Sequence, residues 1–442
     1  MPPILALTAY IIFEVIVLKL EKKQSPGMSR FLWIPTIWLI YVSSKPLAFW
    51  ISNTGTDQDY GSPLDRIFMI SMICAAVFWL IRKKLDWRRA FRDNVPLIAF
   101  FCFMFLSILW SDIPLISIKR WTRELLAMLM AFCLLIETSP IRAALSAIRR
   151  TIYILIPLSV VLIKYYPQYG ISYGRWFGER MWIGVSLQKN GLACLCFIAI
   201  FFLIWSLVRR QKDKVAIVWK YENYIELSLI AISIWLIRGP NGDFFYSATS
   251  FYSLMIGLCL LGGFIYFKNR KLNLQYIIVV LIISIFLFGI SILFTSTSNI
   301  GIVTSAAGRD DSLTGRTEIW AALLPVVMKN PILGKGYGGF WTRTTREYYD
   351  ISESHNGYLE AMLGFGFSGL LFILNLYLSF CRKAFSVFSS DFFISVLFAC
   401  LIIMVLVYNT AECSLDSFTY QLSAIMLFIS VSTKKPFLDF HK

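Results

Sequence analysis

Hydrophobic residues in this chain come in long runs separated by polar stretches. Thirteen runs stand out, near residues 3–20, 31–51, 67–81, 95–110, 122–137, 151–163, 191–208, 224–237, 251–267, 276–294, 358–380, 392–409 and 418–431. A run of about 20 apolar residues is long enough to cross a bilayer as a helix, and helices close all their own backbone hydrogen bonds there. The pattern predicts an all-α polytopic membrane protein with about 12–13 transmembrane helices, the short run at 224–237 setting the range. Residues 1–20 lack a basic start and a cleavage motif, so they read as a first span.

Two polar stretches interrupt the pattern. One is the loop Lys164–Lys189, and the other is the long segment 295–357, far longer than a connection needs to be. Three parts follow: residues 1–294 as a bundle of ten spans, 295–357 as a large loop, and 358–442 as three further spans with a tail. Inside the long segment, Ile319, Leu323, Val326 and Val327 form one apolar face, predicting a helix over about Arg316–Met328 that Asn330-Pro331 ends. That face can lie on the membrane or pack over the bundle.

Composition agrees with the runs. The 442 residues are 57% hydrophobic and 15% charged, and the mean hydropathy is +0.66, which excludes an ordinary soluble domain. The net charge of +16 does not point to nucleic acid, because the basic residues sit in alternate short loops, among them Arg82–Arg92, Arg149/Arg150, Arg209/Arg210 and Arg382/Lys383. Those loops read as cytoplasmic. The other set, with both polar stretches, Asp65, Glu412 and Asp416, then faces outward. The nine cysteines lie mostly in apolar segments and read as small core residues, not disulfides or metal ligands.

Candidate chemistry concentrates in Gly308–Gly369 and in the loop before Asn190. The Lys164–Lys189 loop carries Lys164, Arg175, Arg180 and Lys189 against Glu179, a net +3 on the side where the topology rule disfavours it. It is either a tolerated short loop or an anion site. Arg309 and Arg316 flank a Ser/Thr/Gly turn before the predicted helix, a second place for an anion. Asp310-Asp311 read as partners for these arginines. Gly334–Gly339 matches G-x-G-x-x-G, yet no strand precedes it, so a nucleotide site is rejected and the glycines read as a turn passing close to other backbone. The aromatics Tyr337, Phe340, Trp341, Tyr348 and Tyr349 are either membrane-interface residues or sugar-stacking faces. His441 lies on the tail, leaving His355 as the histidine within the fold, beside Glu353 and Glu360. A neutral imidazole there can take a proton from a hydroxyl. Glu14, Lys45, Arg123, Glu124 and Arg238 lie in or near spans and need a cavity or a partner. Lys45 and Arg238 are expected on one outer cavity.

An ordered set of residues carries a family resemblance. It comprises Trp110-Ser111-Asp112, Trp182-x-Gly184 with Lys189-Asn190, Gly308-Arg309, Thr314-Gly315-Arg316, Trp320, Gly334-x-Gly336-Tyr337, and His355-Asn356-x-Tyr358-Leu359-Glu360. This set resembles the O-antigen ligase/polymerase superfamily. Arg309-x-x-x-Leu313 and His355-Asn356 followed by Gly366-x-x-Gly369 are similar to its ligase signature. Ser247-Ala248-Thr249-Ser250 lacks the arginine that ligases tend to carry there, so the chain looks more like the exopolysaccharide polymerases. Gln188 stands where relatives commonly have histidine.

The resemblance implies a metal-independent, inverting glycosyltransferase, without a cofactor, in a bacterial inner membrane. Its donor would be a polyprenyl-diphosphate-linked oligosaccharide used at the periplasmic face, and its partners other polysaccharide export and chain-length proteins. The residues it points to are His355 as base, Glu360 or Glu353 orienting it, and Arg309 and Arg316 for the diphosphate. Arg175, Arg180, Lys189, Asn190, Tyr337, Asn356 and Tyr358 would bind substrate. Polymerase, ligase and a transporter or flippase of lipid-linked sugars compete. Transporters place their sites near the midplane and often show two similar halves, whereas no clear repeat is present here and the polar residues gather at one face.

Overall fold

The computed structural model describes residues 1–51, 61–174, 178–212, 220–242, 246–270, 272–295 and 315–433. Every one of the thirteen apolar runs contains a helix. In chain order they are α1 (Pro3–Gln24), α2 (Trp33–Val42), α3 (Pro63–Arg82), α4 (Val95–Ser107), α5 (Pro114–Leu134), α6 (Pro140–Tyr165), α7 (Lys189–Lys212), α8 (Lys220–Ile237), α9 (Ala248–Phe267) and α10 (Leu274–Ser291). In the described part of the long segment, residues 315–357, two helices follow, α11 (Arg316–Lys329) and α12 (Arg343–Tyr349), and then come α13 (Gly357–Ser386), α14 (Phe392–Tyr408) and α15 (Gln421–Ser432). Between Ile171–Tyr173 (β1) and Arg180–Trp182 (β2) lies a two-stranded antiparallel hairpin, with Ser172 opposite Met181.

Seven of the helices (α1, α3, α6, α7, α9, α10 and α13) are long and apolar enough to cross a membrane by themselves. Four more, α2, α4, α14 and α15, are apolar but shorter. The first half of α5 carries Lys119, Arg120, Arg123 and Glu124, and α8 carries Glu222 and Glu226, so their charges must be neutralised inside the bundle. The protein is a multi-pass membrane protein.

Burial separates the inner helices from the outer ones. Only 17% of the apolar stretch of α1 is buried, against 78% of α7. The exposed Ile4, Ile11, Ile12 and Ile16 of α1 belong to a lipid-facing surface. α14 is apolar all round and buried along nearly its whole length, the signature of a central helix. All nine cysteines are free and six are buried, as small core residues.

Polar contacts tie the helix ends together. At the basic end, Arg150 pairs with Glu21 at 2.7 Å, linking α6 to α1. Arg149 and Arg210 converge on the buried Glu226 of α8. At the opposite end, buried Glu124 of α5 accepts from Tyr337 Oη (3.0 Å), Ser417 Oγ (2.6 Å), Phe418 N (2.7 Å) and Thr419 Oγ1 (3.2 Å). One carboxylate thus anchors the glycine turn and the segment before α15. Lys45 is buried and donates to Gly184 O (3.1 Å) and Tyr169 O, while Arg238 donates to Gly242 O (2.9 Å). The expectation that these two cations line one cavity is corrected: backbone carbonyls engage both, and neither is on the cavity wall described below.

Residues 315–357 of the long segment pack onto the bundle. α11 runs through Pro325 to Lys329 and buries Thr317, Trp320, Leu323 and Val327, a stripe rotated slightly from the predicted face because Trp320 takes the centre. After it, the chain inserts between α4 and α13. Gly336 has φ +78°, and a Cβ there would meet the backbone of Ser107 and Ser111, so the glycine turn is a close-approach device. Gly366, at φ +64°, breaks α13. The amides beyond the break are satisfied by the inserted chain, Phe367 N donating to Pro331 O (2.7 Å) and Ser368 N to Ile332 O (3.2 Å).

Candidate active site

α13 starts where three groups clamp one turn. Asn356 caps the helix, its Oδ1 accepting from Tyr358 N and Leu359 N at 3.0 Å, and its Nδ2 donates to Thr410 O at 3.1 Å. Ser354 N donates to Glu360 Oε2 (3.1 Å), and Ser354 O accepts from Trp320 Nε1 (3.0 Å). Glu360 is fixed in turn by Trp341 Nε1 at 2.5 Å. His355, between Ser354 and Asn356, is held at φ +52°. A non-glycine residue there costs about 1–3 kcal/mol and persists only when its neighbours over-determine it. The clamp supplies that constraint and fixes the backbone that carries the imidazole.

The imidazole faces Glu353, with Nδ1 3.4 Å from Glu353 Oε1, and the two side chains retain 27% and 23% exposure, enough to meet a substrate. Glu412, in the turn after α14, lies next to them. Its Oε1 accepts from Arg316 Nη2 at 2.8 Å and from Asn190 Nδ2 at 2.8 Å. Four separate segments therefore meet: the start of α11, the start of α7, the turn before α13 and the turn after α14. Burial pushes the Glu353 carboxyl up to about 8, helped by the negative charges of Glu412 and Glu360. Burial, then the Arg316 charge, pushes His355 down to about 4. At neutral pH the imidazole is therefore uncharged and Glu353 is mostly protonated.

A cavity of about 550 Å³ adjoins this cluster, with Glu353, Glu412, Asn190 and Cys413 on its wall. Its other walls come from α2, α3, α5 and the first turn of α15. Glu353, His355 and Glu412 offer donor atoms within 4.8 Å of one another, a spacing that could hold a metal ion. Glu412 Oε1 already takes two donors there.

The remaining candidate residues separate by position. Arg309 and Arg175 lie outside the described residues. Arg180 is exposed on β2, away from the cavity wall. Lys189 sits over the Tyr246 ring at 5.0 Å and Lys164 over Trp235 at 5.0 Å. Tyr337 and Tyr358 do not reach the cavity. Each is buried with its hydroxyl engaged, the first on Glu124 and the second donating to Leu406 O at 3.0 Å. Glu360 holds the Ser354 turn, and Glu353 is the carboxylate that faces the imidazole. Glu412 is the residue that sequence reasoning passed over as chemistry. Its signal was an acidic side chain between two apolar spans, the kind of group that needs a partner.

This fold defines a multi-pass membrane protein, and its residues 244–374 match the family model described as O-Antigen ligase. Arg316, His355 and Glu360 fall inside that range, whereas Asn190 and Glu412 fall outside it. Among curated proteins, the chain is similar to the Exopolysaccharide production protein ExoQ of Rhizobium meliloti (strain 1021), 22% identical over 326 residues that cover 70% of each chain. The domain and this relative support an O-antigen ligase-like, polysaccharide-related function.

Proposed function

We propose that the protein is a polysaccharide polymerase of a bacterial inner membrane, joining oligosaccharide repeat units carried on polyprenyl diphosphate at the periplasmic face. The observation that carries this reading is the convergence of Arg316, Glu412, Glu353 and His355 beside a cavity at the end of the bundle opposite its basic loops. An acceptor hydroxyl gives its proton to neutral His355 and attacks the anomeric carbon of the donor. A new C–O bond forms with inversion while the bond to the diphosphate oxygen breaks. Diphosphate leaves without a general acid, needing only cations to receive its charge. Arg316, oriented by Glu412, is the cation for that task. A protonated Glu353 leaves the place free of one negative charge.

The name of the matched domain favours a second reading, ligase, in which the same chemistry delivers a finished glycan to a lipid acceptor. Purified protein in lipid, given only a polyprenyl-diphosphate oligosaccharide from its own organism, separates the two. A ladder of longer lipid-linked glycans is the expected result. Growth only after a lipid acceptor such as lipid A core is added would make it a ligase. No transfer under either condition by folded protein would bring forward a transporter of lipid-linked sugars.

A further inference from the structure

Three polar groups on the cavity wall play no part in the chemistry above. Ser43, Asp65 and Gln421 are 4%, 4% and 7% exposed, and all three line the cavity. Ser43 Oγ, Asp65 Oδ2 and Gln421 Oε1 have no hydrogen-bond partner among the described residues. Leaving such atoms unpaired is costly, so buried orphans beside a cavity call for an explanation. Their side chains are nonetheless held in place. Asp65 Oδ1 accepts from Tyr41 Oη at 3.0 Å and Leu47 N at 2.8 Å, and Gln421 Nε2 donates to Gly191 O at 2.8 Å.

The unmet atoms are acceptors, apart from the hydroxyl, which can do either. A ligand that satisfies them must bring donors. Charge narrows its nature further. With Glu353 protonated, the wall still carries the acids Asp65 and Glu412 against one cation, Arg123, so a diphosphate is disfavoured inside. Trp38, Tyr41 and Tyr420 add flat faces to the same wall, and such rings bury apolar area while keeping a polar edge. Hydroxyl donors, no negative charge and flat apolar faces describe a neutral sugar ring.

We propose that this cavity is the acceptor-sugar subsite, with Ser43, Asp65 and Gln421 reading its hydroxyls while the donor diphosphate stays outside at Arg316. The inference rests on the reading of the protein as a glycan-transferring enzyme, and it adds the residue capping α2 and residues of α3 and α15, all outside the matched residues 244–374. It also gives the reaction a direction: the sugar in the cavity presents its hydroxyl toward His355, and the lipid-linked donor approaches from the membrane side.

Binding tests the subsite without requiring turnover. Full-length protein in lipid nanodiscs is titrated with the lipid-free oligosaccharide repeat unit from its own organism, and separately with polyprenyl diphosphate bearing no sugar. Asp65→Asn and Ser43→Ala should each weaken oligosaccharide binding about tenfold, the scale of one lost hydrogen bond in a desolvated site, and leave polyprenyl diphosphate within about twofold. Arg316→Ala should show the reverse. In the transfer assay the first two variants should raise KM for the acceptor and leave KM for the donor alone. Ser43→Ala removes an atom with no partner, so it should fold as wild type and decides the matter where Asp65→Asn does not. Undiminished oligosaccharide binding in Ser43→Ala, no binding by the wild type, or selective loss of polyprenyl diphosphate would overturn the subsite. Binding without transfer would instead overturn the enzyme reading and leave the subsite standing.

Discussion

Arg316 Nη2 lies 2.8 Å from Glu412 Oε1, joining residues 96 apart in the chain. The pair is only 11% and 10% exposed, so the guanidinium plane is held where a flexible cation would not be. Lysine keeps the charge and loses the fork. Arg316→Lys is expected to lower turnover roughly 10²-fold, the scale of removing one preorganised donor from a developing anion. Rates measured at saturating donor check this, and unchanged turnover would remove Arg316 from the site.

His355→Ala should reduce glycan transfer to background while the protein still inserts and elutes as wild type. Because His355 is pushed down to about 4, the base form persists through the neutral range. The rate should fall only as acidification approaches that value. A pH–rate profile with its acid limb near 6.5 instead would show an imidazole in ordinary solvent.

Glu353 gives the opposite limb. Its carboxyl is pushed up to about 8, so it ionises as pH rises through that value and sets a negative charge beside the incoming diphosphate. Turnover should decline there, and Glu353→Gln should remove the decline. The stability effect has the same sign. A raised folded-state value contributes stability below the ordinary carboxylate range, and this is lost as pH rises through about 8. For His355, with its value lowered, stability is lost as pH falls from the ordinary histidine range toward 4. Glu353→Gln should therefore leave a stability curve that rises from acid and then stays flat, read by thermal unfolding in detergent. A curve identical to wild type would mean that Glu353 is not the buried acid.

The Glu353–His355–Glu412 spacing suits a cation, and the proposed chemistry needs none. Transfer should persist in excess EDTA. Loss of activity there, restored by a divalent ion, would mean that the three side chains act as ligands and that His355 is not a free base.

Gly366→Ala places a Cβ against Pro331 O and Ile332 at a φ that L residues avoid. A substitution at an incompatible φ destabilises by more than about 1 kcal/mol, and here it also pushes away the carbonyls that satisfy Phe367 N and Ser368 N. The variant should melt several degrees lower and lose transfer, because the insertion positions α11. A wild-type melting temperature would show that the break in α13 is not structural.

Much of this protein is legible in residue order. Thirteen apolar runs become thirteen helices because, inside a bilayer, a backbone must close its own hydrogen bonds, and that demand is local. The helix beginning at Arg316, the close approach of the Gly334–Gly339 turn and the crowding of polar chemistry into Gly308–Gly369 follow from spacing and glycine content. Glu353 beside His355 follows from adjacency as well, but Glu412 does not: it reaches them only because α14 returns the chain to the same end of the bundle, and it meets Asn190 only because α7 starts there. Tyr337 and Tyr358 read as site aromatics in one dimension and turn out to be core residues, since their hydroxyls find Glu124 and Leu406 O first. Ser43, Asp65 and Gln421 carry no motif at all. They become a set when α2, α3 and α15 pack around one cavity, because a hydrogen-bonding atom has meaning only relative to what faces it.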